Sequence, residues 1–258
     1  MDILRAEDIL LKSDGTLNGV PILIFDELNS TNDYAKALIE KENVKNALII
    51  ADFQTCGRGR VGHTFFSPKG TGIYMSYIFT PDSLENAYSV TTKAAVCVAQ
   101  AIEALYAVKP SIKWVNDIYL EGRKVCGILT EAVTNGLNTG SVVVGIGINF
   151  SASALPDDLK AVAGFLPAKE NVTRNDLIAG ILKLLTGECS RLSDIGYIDY
   201  FRSHSLLTGT DITYFENGIQ CFGHVIGISD SAGLIITASN GTVRELNSGE
   251  VFTLRPIT

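Results

Sequence analysis

The chain has 258 residues, of which 46% are hydrophobic and 19% charged, a composition that excludes a disordered or low-complexity protein. That length accommodates one large domain, or one plus a small one. A net charge of −7 and a pI near 5.0 argue against a nucleic-acid binder, which carries a basic footprint.

In chain order, Ile22 to Leu28 reads as a first strand. It ends at Asn29-Ser30-Thr31-Asn32, a cluster of helix-capping residues, after which Tyr34, Ala37 and Leu38 recur at helical spacing through about Lys41. Ala47 to Phe53 is the next strand, followed by a glycine-rich loop and the alternating strand Ile73 to Phe79. Leu84 to Leu105 reads as a long helix with Ala94, Ala95, Val98, Ile102 and Leu105 on one stripe. Ile112 to Trp114 and Ile118 to Leu120 are short strand segments around Asn116-Asp117. Glu121-Gly122 turns the chain into Lys124 to Val133, and Asn135-Gly136 marks another turn. Ser141 to Ile148 is an apolar, buried type of strand. Thr173 caps a helix from Asn175 to about Leu192, and a shorter helix covers Tyr197 to Ser203.

After Leu207-Thr208-Gly209 the texture changes to short β segments with a turn every 8–12 residues: Ile212–Phe215, Gln220–Ile228, Leu234–Ala238, Thr242–Leu246 and Val251–Leu254. Five strands in roughly 50 residues suggest a small barrel of SH3 type. The whole reads as α+β: a mixed, largely antiparallel sheet with flanking helices over residues 1–207, and the small barrel over 208–258.

The loop Gly57-Arg58-Gly59-Arg60-Val61-Gly62-His63 spells two nucleotide motifs and has the context of neither. Both a dinucleotide-binding turn and a P-loop need a helix opening directly after the glycines, because its N-terminus supplies the phosphate-binding amides. Here Pro68, Gly70 and Gly72 follow, and the P-loop lysine is absent. Arg58 and Arg60 instead offer planar donor forks for a carboxylate or phosphate on a glycine-rich flap; the plain alternative is an exposed tip whose arginines meet water. Residues 54–124 hold eight Lys/Arg against five Asp/Glu, a local basic surplus that suits a small anionic ligand or reflects chance clustering.

Lys113-Trp114-Val115-Asn116-Asp117, followed by Lys124, forms a second cluster. Strand alternation would put Lys113 and Asp117 on one face, as a plain salt bridge or as a phosphate clamp beside a proton-accepting carboxylate. Trp114, the only tryptophan, suits a core better than a ligand platform. In Gly145-Ile146-Gly147-Ile148-Asn149 the glycines mark close approach of backbone or ligand, and Asn149 suits a nucleotide contact or a turn cap. Five scattered cysteines without a C-x-x-C pair read as reduced thiols, and three isolated histidines make a protein-bound metal an unneeded assumption. With no signal peptide and no apolar run of about 20 residues, the expected location is cytoplasmic, away from membranes.

Five motifs in order carry a resemblance: Ser30-Thr31-Asn32; Gln54-Thr55-Cys56-Gly57-Arg58-Gly59-Arg60; Lys113-Trp114-Val115-Asn116-Asp117; Arg123 through Glu131 (Arg-Lys-Val-Cys-Gly-Ile-Leu-Thr-Glu); and Gly145 through Asn149. Together with Ser67-Pro68-Lys69-Gly70 and the β-rich tail, the sequence from about Phe25 to its end resembles the biotin protein ligases. The resemblance implies a class II synthetase-like catalytic domain and a two-step reaction. Biotin is activated by ATP, with Mg2+, to biotinyl-5′-AMP, and then transferred to a lysine of a biotin carboxyl carrier protein or domain. It further implies that Ser30, Thr31, Asn32, Gln54, Gly57 and Gly127 bind biotin. Arg58 and Arg60 would order over biotin and the adenylate, Lys124 would meet the biotin carboxylate and α-phosphate, and Lys113 would stabilise phosphate charge. Asn116 and Asn149 would lie on the nucleotide side, and Asp117 would orient or deprotonate the incoming lysine. No protein-bound metal is implied, and a homodimer is compatible with this reading. His63, Phe65, Val115 and Cys56 depart from the usual arginine, tryptophan, proline and alanine. About 21 residues precede the first strand, too few for the winged-helix DNA-binding domain of some members, so a ligase without DNA binding or repressor activity is expected. The alternatives are a lipoate-protein ligase-like enzyme and a non-catalytic biotin-adenylate sensor.

Overall fold

The segment β2 (Ala47–Ala51, Ala-Leu-Ile-Ile-Ala) has no polar alternation and is buried at every residue, the pattern of a strand covered on both faces. The computed structural model, which describes residues 2–84, 87–134 and 140–254, shows what covers it. β2 lies in a seven-stranded sheet with β1 (Ile22–Phe25), β3 (Gly72–Phe79), β4 (Ser111–Lys113), β5 (Asp117–Leu120), β6 (Arg123–Thr134) and β7 (Gly140–Asn149). The strand order is β1-β2-β3-β7-β6-β5-β4; β1 and β2 run parallel and all other neighbours antiparallel. This is the mixed, largely antiparallel sheet expected from the sequence.

The two faces differ. Leu48, Ile50, Ile73 and Met75 pack beneath α3 (Val90–Tyr106) and α4 (Arg174–Cys189), with α1 (Ala6–Lys12) against α4. Ala47, Ile49, Ile78 and Val143 point the other way, against Ala35 and Leu38 of α2 (Thr31–Glu42). α2 is only 12 residues long. Beyond its N-terminal end the same face carries Ser76, Gly127, Gly145 and Gly147 instead of large aliphatic side chains, and a concavity opens there.

A second, antiparallel sheet follows α5 (Ile198–Ser203). Its strands β8 (Asp211–Glu216), β9 (Ile219–Ile228), β10 (Leu234–Ala238), β11 (Val243–Leu246) and β12 (Val251–Thr253) take the order β11-β10-β9-β8-β12. The five strands and their tight turns form the barrel-like tail read from the sequence. Ile212, Val225, Leu234 and Val251 are buried and join the main core beside Ile112 and Trp114. The Trp114 indole donates to the Ala232 carbonyl at 2.8 Å, so the lone tryptophan fastens one sheet to the other.

Some boundaries differ from the sequence reading. α3 begins at Val90 after a 3₁₀ turn over Ala87–Ser89, later than Leu84. β1 stops at Phe25, and only an isolated bridge from Leu28 to Gln54 continues the pairing. α1 was not visible as periodicity, because seven residues span barely two turns. The Asn135-Gly136 turn lies outside the described residues.

Candidate functional site

The polar wall of the concavity is set by the start of α2. Ser30 is extended (φ −155°, ψ 132°) and its hydroxyl accepts from the Asp33 amide at 3.4 Å, the geometry of an N-cap. The cap aims Ser30, Thr31 and Asn32 at the sheet, where all three are buried. The Thr31 amide donates to Gln54 Oε1 at 2.8 Å, Gln54 Nε2 donates to Ser67 Oγ at 2.9 Å, and Ser67 Oγ donates to the Phe65 carbonyl at 2.8 Å. Asn32 Nδ2 donates to Glu131 Oε2 at 2.9 Å and to the Leu129 carbonyl at 3.3 Å. Its Oδ1 accepts from Ser76 Oγ at 2.6 Å. Gly145 makes room for that amide, since a Cβ there would fall 2.1 Å from Asn32 Oδ1. The close approach read from the glycine strand is therefore made by a protein side chain.

The glycine-arginine loop is a small hairpin with no helix behind it. Phe65 N donates to the Gly57 carbonyl at 2.8 Å, Gly59 N to the His63 carbonyl at 2.7 Å, and Arg60–Gly62 form a 3₁₀ turn. A Cβ at Gly57 would sit 2.3 Å from the Phe65 carbonyl, which explains the glycine. Arg58 and Arg60 diverge from this hairpin. Arg58 Nη1 donates to Asp33 Oδ1 at 2.5 Å and lies 3.4 Å from Glu131 Oε1. Burial alone would raise the Asp33 pKa, but hydrogen bonds from Arg58 and Lys36 pull it below the ordinary carboxylate range. Arg60 crosses to the opposite side, donating to Asn116 Oδ1 at 3.2 Å and to the Gly249 carbonyl at 3.4 Å.

The cationic end is built on the β4–β5–β6 meander. Lys113 and Asp117 do face together, but as register partners on two strands joined by a tight turn, not as alternating positions of one strand. The Trp114–Val115 peptide within that turn is cis. Lys124 Nζ lies 2.8 Å from Asp117 Oδ1, in an ion pair whose oxygen is buried and has no hydrogen bond of good geometry. The Lys124 backbone is clamped by the following loop: its amide donates to the Val162 carbonyl, and its carbonyl accepts from Gly164 N, both at 2.8 Å. Burial lowers the Lys113 pKa below the ordinary lysine value; Asp117 and Glu250 oppose that shift, and the neighbouring Lys124 adds to it.

These elements enclose one cleft of about 500 Å³. Ser30, Thr31, Asn32 and Gln54 line one end, with Arg58 paired to Asp33 beside them; Lys113, Asn116, Asp117 and Lys124 line the other, with Arg60 on Asn116, and Gly127 is also in the lining. Two expected residues lie outside the lining. Gly57 is behind the wall, and Asn149 turns away to donate to the Gly164 carbonyl at 2.9 Å and the Lys124 carbonyl at 3.4 Å. Sequence reasoning had placed every candidate before the β-rich tail, yet Gly249, Glu250, Val251 and Phe252 close one side of the cleft. It also passed over Tyr119, whose phenol burial and the Asp117 charge push up to about 12, keeping it a donor. Among the described residues, no group of three His, Cys, Asp or Glu is placed to hold a metal ion, and no helix is long and apolar enough to cross a membrane.

An α+β fold whose cleft carries neutral hydrogen-bonding groups at the α2 end and two lysines at the meander end suits a class of ligand with an uncharged polar head and an anionic tail. Comparison with known proteins narrows that class. Residues 24–149 match the Biotin/lipoate A/B protein ligase family. The bifunctional ligase/repressor BirA of Bacillus subtilis is 32% identical over 241 residues, covering 90% of this chain and 74% of its own length. The biotin–[acetyl-CoA-carboxylase] ligase of Mycobacterium tuberculosis is 26% identical over 241 residues, 89% of this chain and 87% of its own. The biotin protein ligase of Aquifex aeolicus, solved with biotin and ATP, superposes with a TM-score of 0.77 at 27% identity, covering 91% of this chain and 99% of that one. The chain belongs to the Biotin/lipoate A/B protein ligase family, as an enzyme of the biotin protein ligase type.

Proposed function

We propose that the protein catalyses two successive steps in this cleft. The biotin carboxylate attacks the α-phosphate of ATP, which enters with magnesium, and pyrophosphate leaves from biotinyl-5′-AMP. The amine of an acceptor lysine then attacks the mixed anhydride carbonyl, forming an amide and releasing AMP. The observation that carries this reading is the polarity of the cleft: neutral hydrogen-bonding groups at Ser30, Thr31 and Gln54 suit an uncharged head, and four cations suit a carboxylate and phosphates. Both steps move negative charge onto oxygen, and Lys124 and Lys113 are fixed where they would stabilise it.

In this assignment Lys124 meets the biotin carboxylate and α-phosphate, Lys113 the phosphates, and Asn116 and Arg60 the nucleotide. Asp117 orients the incoming lysine or takes its proton. Asn149 pins the loop that clamps Lys124, so it supports the nucleotide side from behind. The acceptor is a biotin carboxyl carrier domain; the similarity to the biotin–[acetyl-CoA-carboxylase] ligase of Mycobacterium tuberculosis favours that of acetyl-CoA carboxylase. The protein incubated with ATP, magnesium and biotin should add a biotin-sized mass to such a domain by mass spectrometry. No gain would sink the reading. Gain of a lipoyl mass from lipoate would replace it with a lipoate ligase.

A further inference from the structure

The floor of the cleft is ordered in cross-strand rows. In the first, Leu129 pairs with Gly145 and Gly145 with Ser76, whose hydroxyl bonds to Thr31 and Asn32 of the polar wall. Two residues along the strands, Asp117 pairs with Gly127 and Gly127 with Gly147. The third row is Tyr119 opposite Lys124. Plain alternation would turn Lys124 away from the face of Gly127. The register, however, passes from Ile118–Cys126 to Tyr119–Lys124 and leaves Val125 unpaired, and this bulge re-aims the lysine so that its Nζ reaches Asp117 Oδ1 at 2.8 Å. Apart from Ser76, every residue of the three rows lines the cleft. Rows two residues apart are separated by roughly 7 Å of strand. A ligand with its head at the first row therefore reaches Lys124 with its anionic end, and the group bonded beyond that end meets the third row.

Tyr119 brings to that row something its neighbours lack. The charged groups around it are already engaged with one another: Lys124 pairs with Asp117, and Lys113 faces Asp117 across the strands. The Tyr119 hydroxyl is bonded to no group among the described residues. Burial and the Asp117 charge hold its pKa up to about 12, so the phenol keeps its hydrogen through the neutral range.

We propose that Tyr119 is a further catalytic residue, whose hydroxyl donates to a non-bridging oxygen of the α-phosphate in both steps. The proposal rests on the two-step reading above and adds a neutral donor to the two lysines. In the first step the carboxylate oxygen bonds to phosphorus as the bond to pyrophosphate breaks. In the second, the lysine nitrogen bonds to the anhydride carbonyl carbon and passes its proton to Asp117. The carbon–oxygen bond to phosphate then breaks, and its electron pair leaves with AMP. Negative charge grows on the non-bridging oxygens in both, so a donor fixed there acts more strongly in the transition state than before it. The phenol itself gives up no proton.

Tyr119→Phe removes the hydroxyl and keeps the ring. Pyrophosphate release in a single turnover should slow about ten- to a hundredfold, the scale of one hydrogen bond to a charged oxygen. The biotin Kd by titration calorimetry and the KM for ATP should stay within about twofold. Synthetic biotinyl-AMP bound to excess variant should react more slowly by a similar factor, with a carrier domain and with hydroxylamine alike, because hydroxylamine needs no docking surface. Thermal unfolding confirms that folded proteins are compared. Unchanged rates, a loss in one step only, a loss with the carrier domain but not with hydroxylamine, or a rise in Kd or KM that accounts for the slowing would each overturn the proposal. Absence of adenylate from the unsubstituted protein would instead remove the underlying reading, whereas equal adenylation by the two proteins would remove only the role of Tyr119.

Discussion

Lys124 and Arg60 differ in what holds them, and that difference predicts different failures. Lys124 is anchored by two backbone bonds and paired with Asp117, so it is a fixed charge at the meander end of the cleft. Lys124→Ala should cut biotinyl-adenylate formation about a hundred- to a thousandfold, the cost of losing one preorganised donor. Arg60 instead bridges the glycine loop to Asn116 and Gly249 across the mouth of the cleft. Arg60→Ala should still form adenylate but release it, seen as free biotinyl-AMP accumulating without an acceptor; no accumulation would remove the sequestering role. Lys113 makes a pH prediction. Its lowered pKa means that the free enzyme loses this cation below the pH at which an ordinary lysine titrates. The kcat/KM for ATP, which reports the free enzyme, should therefore fall on an alkaline limb that Lys113→Arg shifts to higher pH. A limb at the same pH in that variant would assign the titration elsewhere. The cations were legible because the motifs that carry them stand in an ordered set; taken singly, the loop arginines had an exposed tip as their plain alternative. The bonds that Asn32 makes to Ser76 and Glu131 were not, because these partners lie 44 and 99 residues away in sequence.

Among the elements, β7 shows most sharply what a sequence pattern can and cannot say. Glycines in a buried strand announced close approach, and both are occupied, but by different neighbours. A Cβ at Gly145 would meet Asn32 Oδ1 at 2.1 Å, and one at Gly147 would meet the Phe65 ring at 2.7 Å. The two neighbours yield differently. Asn32 is held by bonds to Glu131, Leu129 and Ser76, whereas the Phe65 ring borders the open cleft. Gly145→Ala should therefore be the costlier change, destabilising by about 1–3 kcal/mol as overpacking does. Gly147→Ala should cost less stability and chiefly narrow the cleft beside Phe65. Urea unfolding of the two variants gives the order directly, and a more severe loss in the second would show that the Asn32 network is loose. The helix start at Ser30 was readable because capping is local chemistry. The seating of Asn32 on Gly145 was not, since it depends on how α2 crosses the sheet.

At the scale of the whole molecule, the sequence divides more cleanly than the structure does. Turn spacing set the last 50 or so residues apart as a β-rich unit, and the second sheet confirms the strands. Nothing in that spacing revealed that its inner face would join the main core, or that Gly249–Phe252 would complete the cleft. Docking of one sheet on another is settled by which apolar faces remain uncovered, and that is known only after each sheet has formed. Trp114 sits at this junction, 4% exposed and bonded to Ala232, and it is the only tryptophan in the chain. Its fluorescence therefore reports the joint between the sheets, while far-UV circular dichroism reports secondary structure throughout. If the shared core makes the two sheets one cooperative unit, the two signals should follow a single urea transition with the same midpoint. A tryptophan transition that precedes loss of the dichroism signal would mean that the sheets part before either unfolds. The cleft would then depend on a weak joint, and adenylation should fail at the lower midpoint, with most secondary structure still in place.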